Sequence, residues 1–215
     1  MSGGLFWDPA DKLYKCWYKC GGGGGGKSSK RSGQCYATSR DGIAWDKPKL
    51  NVVEGTNIVS NDATDGFMVW LDLEEADPTK RYKMAAVMWR NAAKNYTILF
   101  SETGIHWRVA LEKSGPVHDR STVFLNPMMT PRQWVFSIKQ SDVPGYGRAR
   151  AYWESPQLEF ANWTSSLPLK PGQRPVAGQA YDWTSADLAD PPFVCSKEAQ
   201  EWSFGHQLYV VDGER

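Results

Sequence analysis

The sequence predicts an all-β chain of the β-propeller type, built from successive four-stranded sheets about one axis. Three observations lead there. A hairpin signature (an apolar strand, an Asp/Asn/Pro turn, an aromatic-rich strand) occurs three times. A second signature follows it each time: a strand, then Ser-x-Asp/Thr-Gly, an apolar residue and Trp, with the third copy looser than the first two. The chain also carries 11 Trp and 9 Tyr in 215 residues, a density that favours strands.

The first blade is expected over about residues 2–50. Leu5-Phe6-Trp7-Asp8-Pro9 leads through Asp11-Lys12 into Leu13-Tyr14-Lys15-Cys16-Trp17-Tyr18. A low-complexity segment from Cys20 to Gly33, with six consecutive glycines and a basic run from Lys27 to Arg31, reads as a flexible, solvated loop. It is no phosphate cradle, because a strand and not a helix follows it. That strand turns at Ser39-Arg40-Asp41-Gly42-Ile43-Ala44-Trp45, where Gly42 takes the positive φ that the turn requires.

The second blade is expected over about 65–112. Val69-Trp70-Leu71-Asp72 passes through Asp77-Pro78-Thr79-Lys80 to Arg81-Tyr82-Lys83-Met84-Ala85-Ala86-Val87, and Ser101-Glu102-Thr103-Gly104-Ile105-His106-Trp107 repeats the turn. The third, about 119–166, runs from Val123-Phe124-Leu125-Asn126-Pro127 through Thr130-Pro131-Arg132 to Gln133-Trp134-Val135-Phe136, then from Ala149 to Trp163. Trp45, Trp107 and Trp163 recur at roughly 55- to 62-residue intervals, a fitting size for a blade. A Pro-rich stretch from Leu167 to Pro175 precedes a partial fourth blade over 176–215, so residues 1–215 read as a single incomplete domain. A β-sandwich is the competing architecture; the recurrence of both signatures in the same order disfavours it.

Composition excludes several functions. A net charge of +1 gives no nucleic-acid or polybasic membrane surface, and no apolar run is long enough to span a bilayer. No signal or lipidation motif is visible, which places the chain as given in the cytoplasm, or outside the cell if an N-terminal signal precedes Met1. Asn95-Tyr96-Thr97 and Asn162-Trp163-Thr164 are glycosylation sequons only in the second case. Cys16, Cys20, Cys35 and Cys195 have no metal-ligand spacing and are expected to be free thiols. His106, His118 and His206 are scattered, which argues against Ser-His-Asp or Cys-His chemistry. No cofactor and no metal is expected.

The inner strands of a propeller line a central funnel, where equivalent positions face one another. Asp65 and Asp119 each stand seven residues before the turn residue of their blade, Asp72 and Asn126. Two carboxylates converging there meet the requirement of glycoside hydrolysis, one protonated to donate and one ionised as base or nucleophile. The same register in the first blade falls on Met1. Each Asp taken singly reads equally well as a strand or turn cap. Arg120 is a candidate either to pair with Asp119 or to grip a substrate group. Glu154, after Arg148, Arg150 and Trp153, is a third carboxylate candidate, with a bracing salt bridge as the plainer role. Trp7 and Trp70 are candidate sugar platforms, and Asp187, with Asp190, lies on a loop that reaches for the funnel rim. Asp41 reads as a structural turn residue.

Several of these stretches resemble bacterial proteins of the glycosyl hydrolase family 32-like group, distant relatives of the invertase and arabinanase propellers (families 32 and 43). The matching residues are 2–9, Cys35 to Trp45, Asp119-Arg120-Ser121-Thr122-Val123-Phe124-Leu125-Asn126-Pro127, Arg150 to Glu154, and Ala186 to Pro192 with Gln207-Leu208-Tyr209. The resemblance implies a five-bladed propeller, of which about three and a half blades are present here. It also implies a pocket on the axis and cleavage of glycosidic bonds in an oligosaccharide or glycoside by carboxylates from separate blades. It carries over to Asp65 and Asp119, with Arg120 beside them. The chain departs from the invertase pattern in lacking Asn-Asp-Pro-Asn-Gly, of which Trp7-Asp8-Pro9 is a partial echo, and in ending soon after Gln207-Leu208-Tyr209. A partial, inactive copy or a non-catalytic binding propeller is therefore the rival reading.

Overall fold

A computed structural model describes residues 3–21, 33–60, 66–90, 93–143, 147–167 and 179–184. Its regular structure is almost entirely β. The first unit contains β1 (Gly3–Asp8), β2 (Leu13–Cys20), β3 (Gly33–Ser39) and β4 (Ile58–Ser60). The second contains β5 (Phe67–Leu71), β6 (Tyr82–Arg90), β7 (Ala93–Ser101) and β8 (Arg108–Leu111). The third contains β9 (Thr122–Asn126), β10 (Gln133–Val143), β11 (Gly147–Ser155), β12 (Thr164–Leu167) and β13 (Gln179–Thr184). Single 3-10 turns occupy Pro78–Lys80 and Leu158–Phe160.

Hydrogen bonding orders the strands as β4-β3-β2-β1-β5-β6-β7-β8 in one sheet and β12-β13-β11-β10-β9 in the other. The eight-stranded sheet is two antiparallel meanders, joined only by a parallel pairing of Gly3 with Met68. Its halves therefore meet at their innermost strands, which run in the same direction. The third meander touches the second in the same region, where the Val123 amide donates to Met68 Sδ at 3.1 Å. Meanders that meet through their first strands make the fold propeller-like, and each meander is termed a blade.

Alternation explains how the blades pack. One face of the first blade sends Trp17 and Tyr36 against Phe67, Val69, Leu71, Tyr82 and Met84 of the second. The opposite face of the second blade sends Ala85, Val87, Tyr96, Ile98 and Phe100 against Val123, Leu125, Trp134, Phe136 and Ile138 of the third. These two apolar layers are the core.

The repeated turns form as their residues require. Ser39 Oγ accepts from the Gly42 amide at 2.9 Å, and Ser101 Oγ from the Gly104 amide at 2.8 Å. Gly42 (φ 74°) and Gly104 (φ 78°) adopt the left-handed conformation. Asp41 Oδ1 accepts from the amides of Ile43 and Ala44, so this carboxylate is a turn device.

Three details differ from the sequence expectation. In the first blade the segment after Trp45 makes isolated bridges, Thr38 with Asp46 and Leu50 with Thr56, and β4, later, supplies the outer strand. In the third blade β13 pairs with β11 and displaces β12 to the edge, so residues 179–184 belong to this sheet and not to a fourth. The rings explain that choice: Tyr152 lies 5.1 Å from Tyr181 and 5.2 Å from Trp183. Finally, Cys20 and Cys35 are joined as a disulfide, where free thiols were expected; β2 and β3 hold them close at the end of the hairpin. Cys16 is free, and Cys195 lies outside the described residues.

Candidate functional site

The inner strands have two ends with different chemistry. At the C-terminal ends the turn aspartates are consumed by ion pairs. Asp8, almost fully buried, accepts from Lys15 Nζ at 2.8 Å, Arg81 Nη2 at 2.6 Å, the Ala10 amide at 3.0 Å and the Tyr82 hydroxyl. Burial alone would raise the Asp8 pKa. The Lys15 and Tyr82 hydrogen bonds and the Lys15 charge outweigh it and bring the value down to about 2. Lys15 is opposed by its own burial but raised by its bonds to Asp11 and Asp8.

Asp72 repeats the arrangement, with Lys83 Nζ at 3.2 Å and Arg132 Nη1 at 3.2 Å. In both cases the lysine comes from the same blade and the arginine from the next. Clefts of about 370 Å³ and about 330 Å³ open beside the two clusters. Their equivalent positions and mutually paired charges mark a blade-to-blade clamp, repeated as the blades repeat.

The N-terminal ends are arranged otherwise. Asp119 and Arg120 form the turn ahead of β9. Lys139 Nζ on β10 lies 2.8 Å from Asp119 Oδ1, with the lysine buried and the carboxylate about one-quarter exposed. A charge-assisted bond of that length stabilises negative charge on Asp119. Ser121 Oγ accepts from the Lys139 amide and donates to the His118 carbonyl, each at 2.9 Å. Arg120 takes a φ of 59°, which is uncommon for a non-glycine residue. The buried Arg150 secures this turn: its Nη1 donates to the Arg120 carbonyl at 2.8 Å and the Ser137 carbonyl at 3.2 Å. Burial pulls the Arg150 pKa down from its usual value, and the Asp119 charge opposes that pull. The Arg120 side chain itself is exposed.

Asp65 lies outside the described residues. Its neighbour Gly66 has a φ of 90° and accepts from the Val87 amide at 2.9 Å. A Cβ at Gly66 would stand 3.7 Å from the Arg120 amide nitrogen, so the chain ahead of β5 and the turn ahead of β9 adjoin.

The other candidates are dispersed. Glu154 is exposed on β11, four residues beyond Arg150 toward the opposite end, and takes a bond from the Tyr152 hydroxyl. Trp7 is 44% exposed beside Asp8, tilted on Tyr14 at 4.8 Å. Trp70 is half-buried between Phe6 at 5.5 Å and Trp134 at 5.9 Å, where it packs blades together. Asp187 lies outside the described residues. Among the described residues no cluster of His, Cys, Asp or Glu has the makings of a metal site, and no helix is long and apolar enough to cross a membrane.

Sequence reasoning passed over Lys139, Arg150 and Ser121. The signal for the first two is a difference between blades at equivalent positions. Strand pairing makes Lys139 and Arg150 of the third blade equivalent to Val87 and Tyr96 of the second, both fully buried. Two cations stand where the second blade has two core residues; the first blade has Lys19 and Gln34 there.

No protein-family model matches the chain, and no curated protein matches it in sequence. Solved structures resemble it in fold at low identity. One is an N-acetylgalactosamine deacetylase from F. plautii in complex with blood group B trisaccharide, with 15% identity, a TM-score of 0.44, and coverage of 65% of this chain and 40% of that one. Another is the GH32 β-fructofuranosidase BmSUC1 of Bombyx mori, with 14% identity, a TM-score of 0.49, and coverage of 75% of this chain and 35% of that one. The chain thus spans less than half the length of either.

Proposed function

We propose that the chain is the substrate-handling part of a glycoside hydrolase-like propeller of the five-bladed type, acting on an oligosaccharide or glycoside with carboxylates at the N-terminal ends of its inner strands. The carrying observation is the approach of Gly66, just ahead of β5, to the Arg120 amide in the turn ahead of β9, which supports a site shared by two blades. Asp119 is the ionised member of the pair, because Lys139 stabilises its charge and Arg150 and Ser121 fix the turn that presents it. Asp65 is then the proton donor to the leaving oxygen. Arg120, exposed beside them, contacts substrate hydroxyls or a substrate carboxylate. Glu154 and Trp7, both distant along their strands, have no part in this constellation, and Trp70 serves packing.

The test is hydrolysis of an aryl-glycoside panel by the full chain and by Asp119→Asn and Asp65→Asn. Loss of at least about a hundredfold in kcat with each variant, at unchanged folding, is expected for a general acid or base. Release that survives both substitutions overturns the assignment. The second reading, a sugar-binding propeller without turnover, is favoured by the Lys139–Asp119 ion pair, which already occupies one carboxylate oxygen of the candidate. It predicts saturable sugar binding with no release from any aryl glycoside.

A further inference from the structure

The blades pack by rule, and among the described residues the rule leaves two faces open. Strand pairing makes Leu5 and Trp7 of β1 equivalent to Val69 and Leu71 of β5 and to Val123 and Leu125 of β9. In the second and third blades these positions are buried against the preceding blade. In the first blade Leu5 is 58% and Trp7 44% exposed. Tyr14 and Cys16, equivalent to the buried Tyr82 and Met84, are also partly exposed on the same face.

At the other end of the array the opposite face is open. Tyr152 of the third blade is equivalent to Tyr36 and Ile98, which are buried against the following blade. Tyr152 is only half-buried, and with Tyr181 and Trp183 it forms a contiguous ring patch.

We propose that these two faces bind each other between copies of this chain, the Tyr152–Tyr181–Trp183 face of one copy seating on the Leu5–Trp7–Tyr14 face of the next. The argument is continuity with the interfaces already inside the molecule. Among the described residues both faces lack the other half of a contact the chain makes twice, and each carries the residue positions that the other half buries. The polar part fits as well. Tyr82 donates its hydroxyl to Asp8 of the blade before it. In the proposed contact Tyr14 takes the place of Tyr82, and Asn126 of the second copy takes the place of Asp8. Such an interface is head-to-tail, so it propagates unless a ring closes.

Sedimentation of the full chain over a wide concentration range tests this, together with Trp7→Glu and Tyr181→Glu. Both positions are at least partly exposed, so folding is retained, and melting curves check it. Wild type is expected to gain mass with concentration, and each variant to remain monomeric. A one-to-one mixture of the two variants then forms a single species of twice the monomer mass, because each retains the face that the other lacks. A wild-type chain that stays monomeric at every concentration overturns the proposal. In that case alkylation of Cys16 tells an open face, which reacts, from one covered by the same chain, which does not. Association that survives both substitutions, or variants that fail to complement, also overturns it.

Discussion

Replacing Asp8 by Asn keeps shape and removes charge at the most heavily used carboxylate in the described structure. Asp8 binds Lys15 and Ala10 of its own blade and Arg81 and Tyr82 of the next, so the substitution acts on the blade-to-blade junction. Two independent routes give the magnitude. A carboxyl whose pKa falls from 3.8 to about 2 on folding contributes about 2.5 kcal/mol at neutral pH, at about 1.4 kcal/mol for each tenfold change in proton affinity. Breaking a buried pair by removing one partner costs about 3–5 kcal/mol, and Asp11, which still holds Lys15, brings the figure to the low end. A loss of about 3 kcal/mol is therefore expected, read from urea unfolding at pH 7, or as a melting point lowered by about 6–12 °C. The pH dependence identifies the cause. The folded pKa lies below the unfolded one, so the contribution is complete above about pH 4 and is lost as pH falls through 2. The gap between wild type and Asp8→Asn should shrink below about 1 kcal/mol at pH 2. A variant within about 0.5 kcal/mol of wild type at pH 7, or a gap that does not close in acid, refutes the clamp.

The two equivalent turn glycines should respond differently to alanine. At Gly104 a Cβ would fall 2.4 Å from Trp17 Cζ2, in addition to the left-handed strain, whereas at Gly42 the nearest atom is 3.8 Å away. Chemical denaturation should show a loss of about 1 kcal/mol for Gly42→Ala and at least about 2 kcal/mol more for Gly104→Ala. Equal losses would mean that the Trp17 contact is soft. The Cys20–Cys35 disulfide closes a separation of 15 residues, so reduction, or a paired substitution to Ser, should cost about 3 kcal/mol on the chain-entropy account. Melting with and without reductant measures it, and an unchanged midpoint would show that the bond adds no constraint.

Local chemistry made much of this fold legible. Gly42 and Gly104 announce their turns because only a residue free of Cβ strain fits there, and Ser39 and Ser101 accept the amide that each turn leaves over. The hairpin signature Val69-Trp70-Leu71-Asp72 marked an inner strand and its turn, and β5 with Asp72 just beyond it stands there. What was not legible depends on partners remote in sequence. Asp8 and Asp72 look like ordinary turn residues, since the arginines that bind them arrive 73 and 60 positions later. The Cys20–Cys35 bond could not be read from spacing, because only the pairing of β2 with β3 brings the two sulfurs together across the glycine-rich loop. The position of β13 was hidden by the Pro-rich stretch before it, which read as the end of a blade.

The two ends of the inner strands explain why the candidate site lies where it does. A repeat protein conserves packing by placing the same residue types at equivalent positions, and a departure from the repeat has a cost that something else must offset. At the C-terminal ends the first two blades agree: Asp8 with Lys15 and Asp72 with Lys83 are the same buried pair, while the third blade has Asn126 and Val135 there. At the N-terminal ends the blades differ, and Lys139 and Arg150 stand where the second blade buries Val87 and Tyr96 and the first has Lys19 and Gln34. Burying two cations is unfavourable unless they are paired. Here one is bound to Asp119 and the other to two backbone carbonyls that shape the Asp119–Arg120 turn. Apolar side chains such as Val87 are enough where a blade only packs at these positions; a blade that holds the Asp119–Arg120 turn at a fixed angle has a use for both cations.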